Sequence, residues 1–369
     1  MTSENKIKVV ICYPLVNAYM AACWRELVAN PRLDVFVIGF WAGSNDLVSF
    51  PADLMKDIPS RLLNEEERTE RGMLADMIAD LCPDVLFVSG WSERSFRTLY
   101  FDRRLEGVPK VLVMDNQLRG DLRQRVGSIV LKPILNRIER IFVTGERSWQ
   151  YARYLGMSED RIHRGAVSVD YRALSDLFDA RVVQFERWPR NFFFAGRYHP
   201  RKSIDILVDA YKQYRSCRPD PWTLTTAGMG PEAHLLAENE GIRDLGFVSP
   251  EGMRRCWLES GVFILPSRFD AWPLVIVEAA AAGLPVIATE ACGSTVEVVR
   301  DMYNGIVVPT GSVDALAQAM IWVHDNDDKL AIWGARSKLL AEPYAADIWA
   351  GRVEKIVSLL VQPKASAQS

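Results

Sequence analysis

Two acids and two cations in the second half of this 369-residue chain have the types and settings for ligand chemistry. Asp270 and Glu278 flank Pro273 in the stretch PSRFDAWPLVIVE, residues 266–278. On one helix, eight positions at about 100° each would leave the two acids roughly 80° apart. Pro273 suits a first helical turn, so Asp270 is expected in the loop before it. A loop acid and a helix acid can reach different parts of one ligand, and the paired hydroxyls of a ribose or hexose are natural donors to carboxylates. The alternative is an acid favoured by the helix dipole beside a solvated glutamate.

The cations come earlier, in FAGRYHPRKS, residues 194–203. A strand is expected to end at Gly196, with Arg197 and Lys202 in the loop and Ser203 capping a helix over 204–216. Glycine admits close backbone approach and a helix N-terminus favours anions, so the loop suits a diphosphate. A solvated basic loop is the competing reading, and the P-loop pattern GxxxxGK[ST] is absent. Between cations and acids lie TTAGMGP (225–231), with Gly228 and Gly230, and LGFV (245–248). Alone, the first is a tight turn. The second is either a strand end filling the core, or a backbone edge at Gly246 and an aromatic wall at Phe247 for a base.

These residues must be held by a repeating scaffold. The run 262–265, a loop, an alanine-rich helix stopped by Gly283 and the run 285–288 make one βαβ unit, whose loop lies where open α/β sheets bind ligands. The same alternation fills both halves. Strands are expected at 7–11, 35–38, 85–88, 111–114 and 141–143. They recur at 191–194, 224–226, near Leu245, and at 306–308. Such alternation implies parallel sheets with helices on both faces. The polar stretch 173–190 reads as a linker between a domain over 1–172 and one over 191–343. Helically spaced Ile348, Trp349, Val353, Ile356, Val357 and Leu360 predict a terminal helix over 344–363, before a frayed end at Lys364–Ser369.

Composition narrows the classes. A net charge of −3 gives no reason to expect a nucleic-acid partner, and 49% apolar residues suit a soluble globular protein. No window approaches a membrane span and the first residues lack a signal-peptide core, so a cytoplasmic location is expected. Six scattered cysteines and four isolated histidines show no metal-ligand spacing, so no metal is expected.

In this order, AGRYHPRKSIDILVDAY, TTAGMGP, LGFVSPEGM, PSRFDAWPLVIVEAAAAGLPVIAT and ACGSTVEVV resemble the retaining GT-B glycosyltransferases related to sucrose and glycogen synthases, the group 1 glycosyl transferases. The resemblance covers most of 191–310. The turn Arg164–Asp170 is similar to the family's end-of-domain turn. It implies an α/β fold of two doubly wound Rossmann-like domains facing across a cleft, with the terminal helix crossing back to the first. It also implies a nucleotide-diphosphate sugar donor, no other cofactor, and a departing phosphate oxygen that takes the acceptor's proton.

Carried onto this sequence, the resemblance assigns Gly196, Arg197 and Lys202 to the diphosphate and Glu278 to the ribose hydroxyls. Gly228, Gly230, Gly246 and Phe247 would line the donor. Asp270 stands where the family has a glutamate facing the donor sugar. Ala271–Val275, with Trp272, Leu274 and Val275, would offer backbone amides, less the one that Pro273 lacks. Gly293, Ser294 and Glu297 fit the following segment. The first domain departs more: Tyr13–Asn17 has no glycine-rich loop, and Asp115, with Asn116, takes the place of a histidine near the reacting sugar. Ser89-Gly90-Trp91 is a second lining candidate, with core packing the alternative for Trp91.

Arg197, Lys202, Asp270 and Asp115 are thus the expected catalytic residues of a retaining, metal-independent transferase acting on a sugar or lipid-linked acceptor. A nucleotide-sugar epimerase or hydrolase and a non-catalytic sugar-binding protein are the rival readings. An oxidoreductase lacks its GxGxxG fingerprint. Finally, 118–140 holds six basic residues and two acids among apolar positions. Either it covers the sheet with a solvated basic face, or it lies on an anionic membrane surface, which would place the protein peripherally on the inner face.

Overall fold

The computed structural model describes residues 6–14, 16–40, 52–70 and 72–361. Leu15 and the tail Lys364–Ser369 lie outside the described residues. The chain divides into two units, one of 1–168 with 346–369 and one of 169–345.

The first unit has strands β1 Ile7–Cys12, β2 Leu33–Phe40, β3 Ser60–Leu63, β4 Val85–Ser89, β5 Lys110–Met114, β6 Arg140–Val143 and β7 Ile162–Arg164. They form one parallel sheet in the order 3-2-1-4-5-6-7. Successive side chains of β1 enter opposite cores: Val10 and Cys12 join one, Val9 and Ile11 the other. That alternation is the pleat's period of two, and burial on both faces explains the unbroken apolar runs. The edge strands β3 and β7 were not expected, since SRLL and IHR are short and half polar. The helix Ala346–Leu360 closes one core with Trp349, Val353, Ile356 and Val357. The Trp349 Nε1 donates to Ala166 O at 2.9 Å.

The second unit has β8 Asn191–Ala195, β9 Thr223–Ala227, β10 Ile242–Asp244, β11 Val262–Leu265, β12 Val286–Thr289 and β13 Gly305–Val308, parallel in the order 10-9-8-11-12-13. The strand expected near Leu245 ends just before it. The strand order reverses between β8 and β11, so the loops following those two strands flank the switch point.

The expected linker 173–190 is largely a helix, Tyr171–Gln184, belonging to the second unit. Its Arg181 is buried and donates to Trp257 O (2.6 Å), Leu258 O (3.2 Å), Ala282 O (3.0 Å) and Gly283 O (3.2 Å). Those carbonyls end the helices Pro250–Glu259 and Leu274–Ala281, where a cation is favoured. Burial pushes the guanidinium down to about 9. Nothing in the polar composition of the stretch distinguishes such an arginine from solvated ones. The segment 118–140 also splits: Lys132–Leu135 buries Ile134 and Leu135, whereas the helix Leu122–Val130 buries no residue.

Candidate functional site

The loop after β8 runs from Gly196 through a short turn, Pro200–Lys202, into the helix Ile204–Ser216. Ser203 holds the N-cap position but does not cap: it adopts left-handed backbone angles (φ 60°), and its buried hydroxyl has no partner. The first-turn amides are left without a side-chain cap. The loop after β11 leads through Asp270 to Pro273, which sits at the N-cap position of the helix Leu274–Ala281, one residue before the expected first turn. Proline has no capping side chain, so this N-terminus is uncapped too. Two uncapped helix N-termini therefore follow the two strands of the switch point, a setting that favours anions.

Lys202 and Asp270 meet here. Lys202 Nζ lies 2.5 Å from Asp270 Oδ2, with both side chains about four-fifths buried. Asp270 Oδ1 accepts the Trp272 amide at 3.2 Å. Arg197 is exposed and makes no ion pair among the described residues. The backbone of the acidic loop is clamped: Gly293 N donates to Asp270 O at 2.9 Å, and Ser294 Oγ to Pro273 O at 2.9 Å. A β-carbon on Gly293 would come within 1.8 Å of Ala271 O, so only glycine fits. Glu297 accepts the Tyr344 hydroxyl at 3.0 Å. Glu278 is half-buried in its helix, and burial pushes its carboxyl up to about 7. The Trp272 ring packs against Tyr344, centroids 5.7 Å apart.

Arg268 joins the two loops, a role that sequence reading missed. It grips Asp205 at 2.9 and 2.6 Å, donates to Pro200 O at 3.0 Å, and its amide donates to Arg201 O at 2.8 Å. The bidentate pair holds Asp205 below the usual carboxylate range. Its partners are more than sixty residues away in the chain, so no local spacing could have signalled it.

The other candidates are placed differently. At Gly228 and Gly230 a β-carbon would lie 1.9 Å from Gly196 O and 2.1 Å from Tyr198 O. These glycines let one loop pack on the next, which accounts for them without a ligand. Gly246 has φ 61° and nothing within 4 Å of a β-carbon position. Phe247 is 50% exposed and lines a cavity of about 780 Å³, together with Thr225, Arg243 and Cys256; none of Gly196, Arg197, Lys202, Asp270 or Glu278 lines it. In the first unit, Asp115 follows β5 and is exposed. Trp91 packs on the core, its ring 6.5 Å from that of Tyr151, in line with the packing alternative.

Residues 189–326 match the family model of the group 1 glycosyl transferases. The match falls within the second unit. Among curated proteins, the chain is 34% identical over 206 residues to the phosphatidyl-myo-inositol mannosyltransferase of Mycobacterium leprae, covering 54% of the chain and 53% of that protein. It is 28% identical over 242 residues to an exopolysaccharide phosphotransferase of Streptomyces coelicolor, covering 62% and 24%. With a lipopolysaccharide core mannosyltransferase of Rhizobium meliloti it shares 26% identity, over 64% and 72%. The chain thus spans about half or less of the first two relatives.

Solved structures extend the likeness to nearly the whole chain. HepE of Anabaena, in complex with UDP and glucose, gives a TM-score of 0.72 at 16% identity, covering 96% of this chain and 100% of that one. Sucrose-phosphate synthase of Thermosynechococcus elongatus gives 0.74 at 16%, covering 96% and 99%. With two parallel-sheet, Rossmann-like units, the fold is GT-B.

Proposed function

We propose that the chain transfers a sugar, with retention, from a nucleotide-diphosphate sugar to a hydroxyl acceptor in glycan, glycolipid or cell-envelope polysaccharide synthesis. The observation that carries this is the pairing of two uncapped helix N-termini with the Lys202 ammonium at the switch point of the second unit. Departure of a nucleoside diphosphate requires stabilisation of phosphate charge, and fixed amides with Lys202 and Arg197 would supply it without a metal. Lys202 spends one donor on Asp270 and has others for phosphate oxygens. Glu278 would take the ribose hydroxyls, and Asp270, held by Lys202, would border the sugar. No protein nucleophile is assigned: the leaving phosphate oxygen would take the acceptor's proton.

Relatives named for phosphatidyl-myo-inositol and lipopolysaccharide core point to a lipid-linked or envelope acceptor. The test is Lys202→Ala, a substitution at a partly exposed position. The variant should keep its fold and lose on the order of 10²–10³ in turnover. Wild-type turnover would sink the assignment. Product analysis with and without acceptor separates a transferase from an epimerase or hydrolase, neither of which needs a sugar acceptor.

A further inference from the structure

The helix Leu122–Val130 is turned inside out. Its apolar side chains Leu122, Val126, Ile129 and Val130 are 75%, 61%, 67% and 67% exposed. At about 100° per residue these four fall in one arc roughly 100° wide. The side facing the protein holds Gln124, Gly127 and Ser128: Gln124 Nε2 donates to Gln117 O at 2.8 Å, and the α-carbon of Gly127 faces the Tyr151 hydroxyl. Anchoring is therefore polar and small, and the apolar stripe is left to the outside. A helix placed only to cover the sheet would show the reverse pattern.

Charge borders the stripe on both margins. On the helical wheel Arg125 lies on one side of it and Arg123 on the other, while Arg119 precedes the helix and Lys132 follows it. Arg123, Arg125 and Lys132 are exposed and form no ion pair among the described residues. Apolar side chains at the centre with long cationic ones at the rim are what the boundary between headgroups and acyl chains accommodates, because the cations can extend to phosphates while the stripe leaves water. A second copy of the chain would instead set arginine against arginine. We infer that this helix is a docking face for an anionic lipid surface.

The inference does not depend on the transferase reading, because its readout is binding to lipid. The full chain should sediment with vesicles of phosphatidylcholine mixed with phosphatidylglycerol, and much less with phosphatidylcholine alone. Added salt should weaken the binding. Val126→Asp with Ile129→Asp should abolish it, and these exposed positions leave thermal stability nearly unchanged. Arg123→Ser with Arg125→Ser should weaken partition by roughly five-fold per arginine removed. Absence of binding to the anionic vesicles, or equal binding by the double aspartate variant, overturns the inference. So does self-association of the wild type that the aspartate variant loses, with no lipid binding, since the face would then join two copies.

Discussion

At the scale of single residues, Glu278 would make the proposed site sensitive to pH. Burial disfavours the charge and pushes its carboxyl up to about 7. Below that value one oxygen carries a proton; above it, both oxygens accept from hydroxyls. If Glu278 binds ribose, nucleotide affinity rises as pH climbs through about 7, and Glu278→Gln flattens the profile; calorimetric titrations at pH 6 and 8 would show this. The stability effect has the opposite sign. The folded state holds this proton more tightly than the unfolded one, so the contribution is full below the unfolded value of 4.5 and is lost as pH rises to about 7. Reading the residue types had already selected Lys202, Asp270 and Glu278. That the first two satisfy each other was not legible, since one sits after β8 and the other after β11.

At the scale of elements, the helix Tyr171–Gln184 works through Arg181. Four carbonyls at two helix ends depend on one guanidinium. Each buried polar group left unpaired costs about 1–3 kcal/mol. Arg181→Leu should therefore lower unfolding stability by more than ~3 kcal/mol, measured by denaturant titration, although the residue touches neither loop of the site. A variant within ~1 kcal/mol of wild type would mean that water or a rearranged helix end replaces the guanidinium. Sequence periodicity locates helices, but it cannot tell which arginine of a polar stretch turns inward. The same blindness hides the outward stripe of Leu122–Val130, because apolar spacing marks a face without saying what that face meets.

At the scale of the whole molecule, the chain enters and leaves the second unit side by side: Val169 pairs with Ala345, and Val169 N donates to Tyr344 O at 2.9 Å. Residues 169–345 form a continuous segment with its own core. Expressed alone, this segment should unfold cooperatively, and the right nucleoside diphosphate at about a hundred times its Kd should stabilise it by about 2.7 kcal/mol. For a domain of this size that is a Tm gain of roughly 5–10 °C. A thermal-shift screen of UDP, GDP, ADP and dTDP checks it; no response from a folded segment that the full chain does show would place essential nucleotide contacts outside 169–345. Residues 1–168 alone should aggregate, because without 346–360 they lose Trp349, Val353, Ile356 and Val357 from one core.

The sequence by itself determined the parallel α/β scaffold, since β-branched runs alternating with helices leave few other ways to bury both faces of a sheet. It also determined which loops carry cations and acids, because strand ends, glycines and prolines punctuate the chain locally. Tertiary structure decided the rest. The pairing of Lys202 with Asp270, the Arg268 grip on Asp205, the buried Arg181 and the glycines at 228 and 230 all depend on segments far apart in sequence. Their energies come from packing and desolvation, which exist only once those segments have met.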